Sequence, residues 1–423
     1  MRTFPYITIL VLALFILLLD AYAYRGWKKL SWPLPKRVLQ ILTGIYWSYT
    51  VVFIGYMLWL SYHFRGNYNP QMHVRASYLF GMGLVSAIPK IIFNLFQLAD
   101  DFRWLINKLA RRFRSEPVGI PGTPMDRATF LTKAGLGVAA IPFIGISYGI
   151  LKGRYDFRVL KETLELPNLP NAFDGFRIVQ ISDLHIGSFD KDFDAVKVGL
   201  EMANREMGDV MLFTGDLVNN FSAELDGWLP YLEQFEAKHG RYSSLGNHDY
   251  GDYSNWDSPE DKARNFNEVV GMHEAIGFDL LRNENRILER GGERIALVGV
   301  ENWGKPPFHQ YGDLSKALQG IPEDIPFKVL MSHDPSHWDA QVLGQTDIDL
   351  TLAGHTHGAQ FGVESTTLGL KWSPVQYKYP RWAGMYSEGK QHLYVNRGFG
   401  FLGFPGRVGM APEITVIELR KKA

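Results

Sequence analysis

The sequence predicts an N-terminal α-helical transmembrane region followed by a C-terminal α/β domain. Two observations support this division. Long apolar segments are confined to roughly the first 150 residues, and after Gly153 short apolar runs alternate with helix-like segments. A third observation concerns function, because polar residues of the kind that bind metals follow several of the short apolar runs. At 423 residues, the chain is too long for one ordinary domain.

The composition excludes several classes of protein. The formal net charge is zero, so no general basic character indicates nucleic-acid binding, and we expect no nucleic-acid partner. The chain contains no cysteine, which excludes disulfides, thiolate metal ligands and a thiol nucleophile.

Four apolar segments are each close to the ~20 residues that a helix needs to cross a bilayer. The first two lack the polar face of a helix buried in a soluble core. The third carries Lys90 beside Pro89, which predicts a kink or an inward-facing polar contact; the alternative is an interfacial helix with Lys90 extended to the surface. The four segments are residues 4–19, 38–60, 77–98 and 130–151.

These segments set the predicted domain boundaries. We predict three transmembrane helices in residues 1–115, a linker and a fourth transmembrane helix in residues 116–152, and the soluble domain in residues 153–423. Residues 116–124 are rich in proline and glycine, which is typical of a linker.

The charges of the loops predict the orientation in the membrane. Residues 25–37 carry five basic residues and residues 100–129 carry six, whereas residues 62–76 contain only Arg65 and Arg75. By the positive-inside rule, the first and third loops are cytoplasmic. Residues 21–23 resemble a signal-peptidase site, but cleavage there would place the five-charge loop outside. Four spans therefore predict a multi-pass cell-membrane protein whose C-terminal domain is extracytoplasmic.

The C-terminal region alternates predicted strands and helices, which indicates a layered α/β domain. The predicted strands are residues 178–181, 210–213, 242–245, 295–300, 328–331, 349–353 and 393–396. The predicted helices are residues 193–207, 225–237, 263–276 and 314–320.

Polar side chains follow five of these predicted strands. Taken singly they mean little, because a Gly-Asp pair is usually a turn and a histidine at a strand end is more often a satisfied polar residue. Taken together they bring carboxylate, imidazole and amide oxygen to one edge of a sheet, which predicts a metal site. The residues are Asp183 and His185, then Asp216, then Asn247, His248 and Asp249, then His333, and finally His355 and His357.

This set of motifs resembles that of the calcineurin-like metallophosphoesterases. The resemblance covers residues 176–419, and residues 169–175 and 395–400 resemble the membrane-associated bacterial branch of the family. It implies a two-sheet β-sandwich flanked by helices. Asn220 stands where the protein Ser/Thr phosphatase branch has an arginine that grips phosphate, so a protein phosphatase is not expected.

The resemblance implies roles for individual residues around two divalent ions. Asp216 resembles a carboxylate that bridges both ions. Asp183, His185 and His357 would complete the shell of one ion, and Asn247, His333 and His355 that of the other. Oxygen ligands mixed with imidazole suit Mn, Fe or Zn. A hydroxide bridging the metals would attack phosphorus, and the catalytic residue His248 would donate a proton or hydrogen bond to the leaving oxygen.

Three further interpretations keep their alternatives. Asp249 either orients His248 or caps its loop, and Arg397 either grips the substrate phosphate or packs on aromatic rings. The aromatic rings of residues 250–294, 303–311, 338 and 372–382 are assigned mainly to packing, with a minority lining a path for lipid. Phe399, Phe401, Leu402 and Phe404 are predicted to dip into the membrane interface.

The sequence therefore predicts a membrane-anchored, metal-dependent phosphoesterase, with phosphodiesterase activity among the expected reactions. The expected partners are the membrane and a phosphorylated small molecule or lipid, and the expected substrate is lipid-linked or part of the cell envelope. One alternative is a pyrophosphate hydrolase of the UDP-2,3-diacylglucosamine type. The other is a non-catalytic membrane sensor or scaffold.

Overall fold

The computed structural model describes residues 6–29, 34–63, 69–110, 127–189, 191–365 and 367–422. The predicted linker at residues 116–124 and residues 111–114 of the third loop lie outside the described ranges. The chain divides into two compact units. One comprises Arg2–Asn67 and Arg75–Tyr148, and the other comprises Met1, Tyr68–Val74 and Gly149–Ala423.

The described residues of the N-terminal region form four helices, each long and apolar enough to cross a membrane. They are α1 (Tyr6–Lys29), α2 (Lys36–His63), α3 (Pro70–Ala110) and α4 (Arg127–Leu151). Helix α1 continues past the predicted end at residue 19, so that Asp20 lies inside it. The Asp20 carboxylate is tolerated within this apolar helix because the ammonium of Lys90, from α3, is paired with it.

The polar residues of α3 face α1. The Lys90 ammonium lies 2.6 Å from a carboxylate oxygen of Asp20. The Asn94 side-chain amide donates to the carbonyl oxygen of Leu19 at 3.1 Å, and the Gln97 amide donates to Asn94 at 3.1 Å. The inward-facing contact predicted for Lys90 is therefore confirmed, and the interfacial alternative is wrong.

The C-terminal domain contains two mixed β-sheets of six strands each within the described residues. The first sheet has the spatial order β1 (Arg158–Leu166), β14 (Glu413–Lys421), β2 (Phe176–Ile181), β3 (Val210–Phe213), β4 (Arg241–Ser243) and β5 (Asp279–Leu280). The second has the order β12 (Gly384–Glu388), β13 (Gln391–Val395), β9 (Leu350–Ala353), β8 (Lys328–Met331), β7 (Glu293–Gly299) and β6 (Glu284–Arg290). A separate hairpin pairs β10 (Val363–Ser365) with β11 (Leu370–Trp372).

The sheets pack face to face because alternate side chains of each strand point to opposite faces. On β2, Ile178 joins a core shared with Leu297 of β7 and Leu352 of β9, whereas Val179 points outward into a cluster that contains Val196. Val196 belongs to α5 (Phe193–Arg205), and α7 (Pro259–Ala275) covers the same outer face. Helix α8 (Leu314–Leu318) covers the outer face of the second sheet. This is the predicted two-sheet sandwich flanked by helices.

Some elements differ from the sequence prediction. Strands β1 and β14 were not predicted, although they pair in parallel over their whole length at one edge of the first sheet. The helix predicted at residues 225–237 is reduced to α6 (Leu229–Leu232). Gly227 has φ of +85°, which ends regular structure before α6, and Pro230 then occupies its first turn.

The prediction of a membrane-dipping phenylalanine loop is wrong. Phe399, Phe401 and Phe404 are buried, and Phe399 and Phe401 belong to the core between the first sheet and α5. Their rings pack within the domain, since Phe399 lies 4.5 Å from Phe157 between centroids. Large apolar side chains are instead exposed on the hairpin, where Leu368 and Trp372 are 72% and 46% exposed.

Candidate metal centre

The predicted ligands lie in loops that follow parallel strands of both sheets. Since parallel strands of one sheet end at the same edge, their loops converge there. The loop after β2 carries Asp183 and His185, the loop after β3 carries Asp216, and the loop after β4 carries Asn247 and His248. The loop after β8 carries His333, and the loop after β9 carries His355 and His357.

Glycines permit these loops to approach each other closely. A Cβ atom on Gly246 would lie 2.2 Å from a carboxylate oxygen of Asp216. A Cβ atom on Gly354 would lie 2.3 Å from a carboxylate oxygen of Asp183. Both distances are impossible contacts, so the glycine that precedes each of these ligand motifs is required by packing.

The backbone is strained at the predicted ligands. Nine non-glycine residues among those the structure describes have positive φ, and five of them are predicted ligands. Such conformations cost about 1–3 kcal/mol each and concentrate at functional sites. The five are Asp183 (φ 53°), His185 (φ 43°), Asp216 (φ 60°), His355 (φ 70°) and His357 (φ 51°).

The side chains form two clusters. Potential ligand atoms of Asp183, His185 and His357 lie within 4.8 Å of one another, and those of a second group, Asp216, His333 and His355, do the same. Asn247 joins the second cluster, because its side-chain oxygen lies 2.8 Å from Nδ1 of His355. The two sets match the predicted division of ligands.

Asp216 lies between the clusters. Its Oδ2 is 3.1 Å from Nε2 of His333 in its own cluster and 3.4 Å from Nε2 of His185 in the other. Its Oδ1 accepts a hydrogen bond from the backbone N–H of His248 at 2.8 Å. One carboxylate oxygen thus faces imidazoles from both clusters, which is the position that a bridging ligand requires.

The donor set fits divalent cations. Asp183 and Asp216 are at most 1% exposed, and buried carboxylates require a nearby positive charge. Among the described residues, Nε2 of His185, His333 and His357 is buried and makes no hydrogen bond of good geometry, although each faces a carboxylate oxygen, at 3.4, 3.1 and 3.3 Å respectively. Buried polar atoms without such a hydrogen bond are rare and call for an explanation, and metal binding supplies one here.

The negative charge of the two buried carboxylates also affects the pKa of His333. Burial opposes its charged form, but the carboxylates of Asp216 and Asp183 outweigh burial and raise the pKa of His333 to about 10. Its Nδ1 donates to the carbonyl oxygen of Thr214 at 2.7 Å, which directs Nε2 toward Asp216. Backbone carbonyls commonly orient metal-binding histidines in this way.

His248 lies at the rim of the clusters. Its ring centroid is 5.0 Å from that of His185, and burial lowers its pKa to about 3. Nδ1 of His248 is 2.7 Å from the carbonyl oxygen of Asn219. Because a carbonyl only accepts, Nδ1 carries the proton, and Nε2 is the nitrogen that can face a substrate.

Asp249 and Arg397 have structural partners. The Asp249 carboxylate accepts hydrogen bonds from four backbone N–H groups, those of Asp216, Leu217, Val218 and Gly246. Asp249 therefore caps its loop, the second of its two predicted roles, and among the described residues these backbone groups, not the His248 ring, are its hydrogen-bond donors. Arg397 is 6% exposed and is paired with Glu413 at 2.6 Å and Glu364 at 2.7 Å. Two carboxylates already neutralise this guanidinium, which argues against the predicted contact with phosphate.

Sequence reasoning missed three residues beside the clusters. Asp334 and Tyr379 contact His355, with Tyr379 Oη 2.8 Å and Asp334 Oδ2 3.5 Å from Nε2. Arg407 is 2% exposed, and its Nη2 lies 3.2 Å from Nδ1 of His357. Asp334 directly follows His333 and was available as a signal, whereas Tyr379 and Arg407 lie in loops without a recognisable pattern.

Comparison with known proteins gives consistent similarities in both regions. Residues 2–154 match a family model described as "Probable Calcineurin-like phosphoesterase, transmembrane domain", and residues 176–359 match "Calcineurin-like phosphoesterase". The "Uncharacterized metallophosphoesterase YkuE" of Bacillus subtilis is 31% identical over 70% of this chain and 98% of its own length. The "Transmembrane protein with metallophosphoesterase domain" of Danio rerio is 27% identical over 75% of this chain and 68% of its own.

Proposed function

The chain belongs to the calcineurin-like phosphoesterase family and carries a transmembrane domain, and from this premise we propose that it hydrolyses phosphoesters with two divalent cations. The observation that carries the proposal is the position of Asp216 between two clusters of buried ligands. We propose that Asp183, His185 and His357 hold one cation and that Asn247, His333 and His355 hold the other, with Asp216 shared. Manganese, iron and zinc suit these ligands.

When bound, two such cations would lower the pKa of coordinated water and offset negative charge on the phosphoryl group. The protein supplies the positioning. The backbone N–H of His355 donates to both carboxylate oxygens of Asp183 at 3.0 Å, and that of His248 donates to Asp216. These hydrogen bonds fix the carboxylates before substrate arrives, which reduces the reorganisation that catalysis requires.

We propose that His248 acts on the leaving oxygen through Nε2. With Nδ1–H held by Asn219, donation from Nε2 requires a second proton on the ring. Burial opposes this charged form, while the negative charge of Asp216 favours it. The Tyr253 ring, 4.6 Å from the His248 ring between centroids, limits the positions that the imidazole can adopt.

We further propose a lipid-linked or envelope phosphoester as the physiological substrate. The support is the covalent connection of the catalytic domain to four helices that can span a membrane. Such tethering confines the site to the vicinity of the bilayer and raises its encounter rate with lipid-linked molecules.

The experiment that tests the activity uses the full chain, purified in detergent with manganese. Hydrolysis of bis-p-nitrophenyl phosphate and p-nitrophenyl phosphate is compared for the wild type and Asp216→Asn. We expect hydrolysis by the wild type and a loss on the order of 100-fold or more in the variant, because the shared carboxylate is weakened toward both cations. Hydrolysis of the diester would favour a phosphodiesterase.

Metal analysis of the same samples supplies the control. Wild-type protein that contains no divalent metal and hydrolyses neither ester would overturn the proposal. Equal activity of Asp216→Asn would contradict the role of this carboxylate.

We propose that the catalytic domain is extracytoplasmic. The support is the excess of basic residues in the first and third loops together with an even number of spans. A reporter enzyme that is active only outside the cytoplasm, fused to the C-terminus, should be active. A reporter that is active only in the cytoplasm gives the matched control, and a signal from that fusion instead would contradict the orientation.

A further inference from the structure

A cavity of about 220 Å³ opens beside the second ligand cluster. Its wall includes Lys305, Ser336, Lys378, Tyr379 and Arg381. All of these residues lie in the C-terminal unit, in the loops that follow β7, β8 and β11. None of them belongs to the predicted ligand set, so the cavity adds surface to the metal centre.

The cavity is positively charged. Arg381 is paired with Asp339, another wall residue, at 3.0 Å and with Glu388 at 3.2 Å. Lys305 and Lys378 form no ion pair with any residue that the structure describes. Two lysines without an ion-pair partner among the described residues therefore belong to the wall of one small cavity, and such a wall favours anions.

Aromatic rings connect the cavity with the ligand His355. The Lys378 ammonium lies 4.8 Å from the Phe308 ring centroid, and that centroid is 5.0 Å from the His355 ring centroid. The Lys378 ammonium also lies 5.3 Å from the Tyr379 ring centroid, and that centroid is 5.3 Å from the His355 ring centroid. A single aromatic ring thus separates the ammonium from the imidazole, and cation–π contacts hold the ammonium in place.

Asp334 fixes the wall relative to the metal centre. Its Oδ1 accepts from the backbone N–H of Ser336 at 2.8 Å, and its Oδ2 accepts from the Tyr379 hydroxyl at 3.2 Å. Ser336 in turn accepts from the backbone N–H of Lys305 at 3.2 Å. The cavity and the ligand loop are therefore parts of one hydrogen-bonded assembly.

We infer that this cavity is an anion subsite that receives a second phosphate of the substrate while the first lies at the two clusters. The inference rests on the proposed phosphoesterase activity and narrows its substrate class to molecules with two phosphoryl groups near each other. Lys305 and Lys378 bind the second phosphate, and Tyr379 separates it from His355. A lipid headgroup and a soluble metabolite both offer this chemistry.

The test measures how strongly glycerol phosphate and glycerol bisphosphate inhibit the full chain, with whichever of the two nitrophenyl esters it hydrolyses as the substrate. These two inhibitors differ by one phosphate. We expect the wild type to bind the bisphosphate about tenfold more tightly or better, because the second phosphate gains charge-assisted hydrogen bonds from the two lysines. We expect the double variant Lys305→Ala/Lys378→Ala to lose most of this preference.

The matched control is Lys197→Ala/Lys390→Ala, which removes two exposed lysines outside the cavity. It should retain both hydrolysis and the preference for bisphosphate. A second measurement needs no variant: the wild-type preference for the bisphosphate should weaken as salt concentration rises, because salt screens exposed charges.

The same inhibition experiment is then done with two lipids in mixed micelles, phosphatidic acid and phosphatidylglycerol phosphate. A preference within this pair would indicate a lipid source, and a preference confined to the glycerol pair would indicate a soluble one.

Two results would overturn the subsite while leaving the phosphoesterase intact. One is equal inhibition of the wild type by both glycerol compounds, and the other is an undiminished preference in the Lys305→Ala/Lys378→Ala variant. Absence of any hydrolysis by the metal-loaded wild type would instead overturn the proposed function, and the subsite with it.

Discussion

The metal centre and the transmembrane helices both bury carboxylates, but they neutralise them differently. In α1, Asp20 is 1% exposed and is paired with Lys90 at 2.6 Å. The Thr50 hydroxyl also donates to its carboxylate, and the Tyr46 hydroxyl donates to its backbone carbonyl at 2.8 Å. At the metal centre, Asp183 and Asp216 face imidazoles whose Nε2 atoms make no hydrogen bond of good geometry among the described residues.

The difference separates a structural pair from a binding site. A lysine supplies a permanent positive charge, so the Asp20–Lys90 pair is complete without any ligand. Imidazoles are neutral in their metal-binding form and leave the charge to be supplied by an exchangeable cation. Substitution of the acid in each region should therefore affect different properties of the protein.

The largest effect on stability is expected from Asp20→Asn. This change leaves the Lys90 ammonium, which is 17% exposed, without its carboxylate. Breaking a buried ion pair by removing one partner costs about 3–5 kcal/mol. Thermal unfolding of the full chain in detergent should show a markedly lower midpoint for Asp20→Asn, while metal content per folded molecule stays at the wild-type value.

Two controls sharpen this comparison. In Asp20→Asn/Lys90→Met both charges are absent, so much of the lost stability should return. Asp216→Asn should differ from Asp20→Asn in losing bound metal and metal-dependent activity, because this carboxylate lies between both clusters of candidate ligands. If Asp20→Asn unfolds like the wild type, the ion pair does not stabilise the helices.

The grouping of the candidate ligands into two clusters could be predicted closely from the sequence, and the Asp20–Lys90 pair could not. Each ligand motif follows a short apolar strand, so a local pattern located His333 or His355 without knowledge of their neighbours. Asp20 and Lys90 are 70 positions apart in sequence. Their contact depends on the packing of α1 against α3, which no local pattern encodes. The ion pairs of Arg397 could not be predicted for the same reason, because Glu364 and Glu413 are distant from it in sequence.

A smaller effect on stability is expected from His273, a buried histidine that belongs to neither cluster of candidate ligands. Its Nδ1 lies 2.9 Å from the Ser243 hydroxyl, its ring stacks on Phe213 with centroids 5.6 Å apart, and burial lowers its pKa to about 3. No carboxylate contributes to this shift, unlike the shift of His333. His273 is therefore neutral in the folded protein at pH values where the unfolded chain binds a proton.

The sign of the pH dependence follows from this difference. Below the unfolded pKa of about 6.5 the unfolded state binds the additional proton, so stability falls as pH decreases toward the folded pKa. From pH 7 to pH 5 the histidine should account for about 1–2 kcal/mol of lost stability. His273→Gln retains a partner for Ser243 but does not titrate. Its unfolding midpoint should therefore fall less than that of the wild type between pH 7 and pH 5. The two falls should differ by about 2–4 °C for each kcal/mol that His273 contributes. Ionisation of the metal ligands affects both proteins alike and cancels in the difference. An equal fall in both would show that His273 gains its proton without unfolding, and that burial alone does not keep an imidazole neutral in this domain.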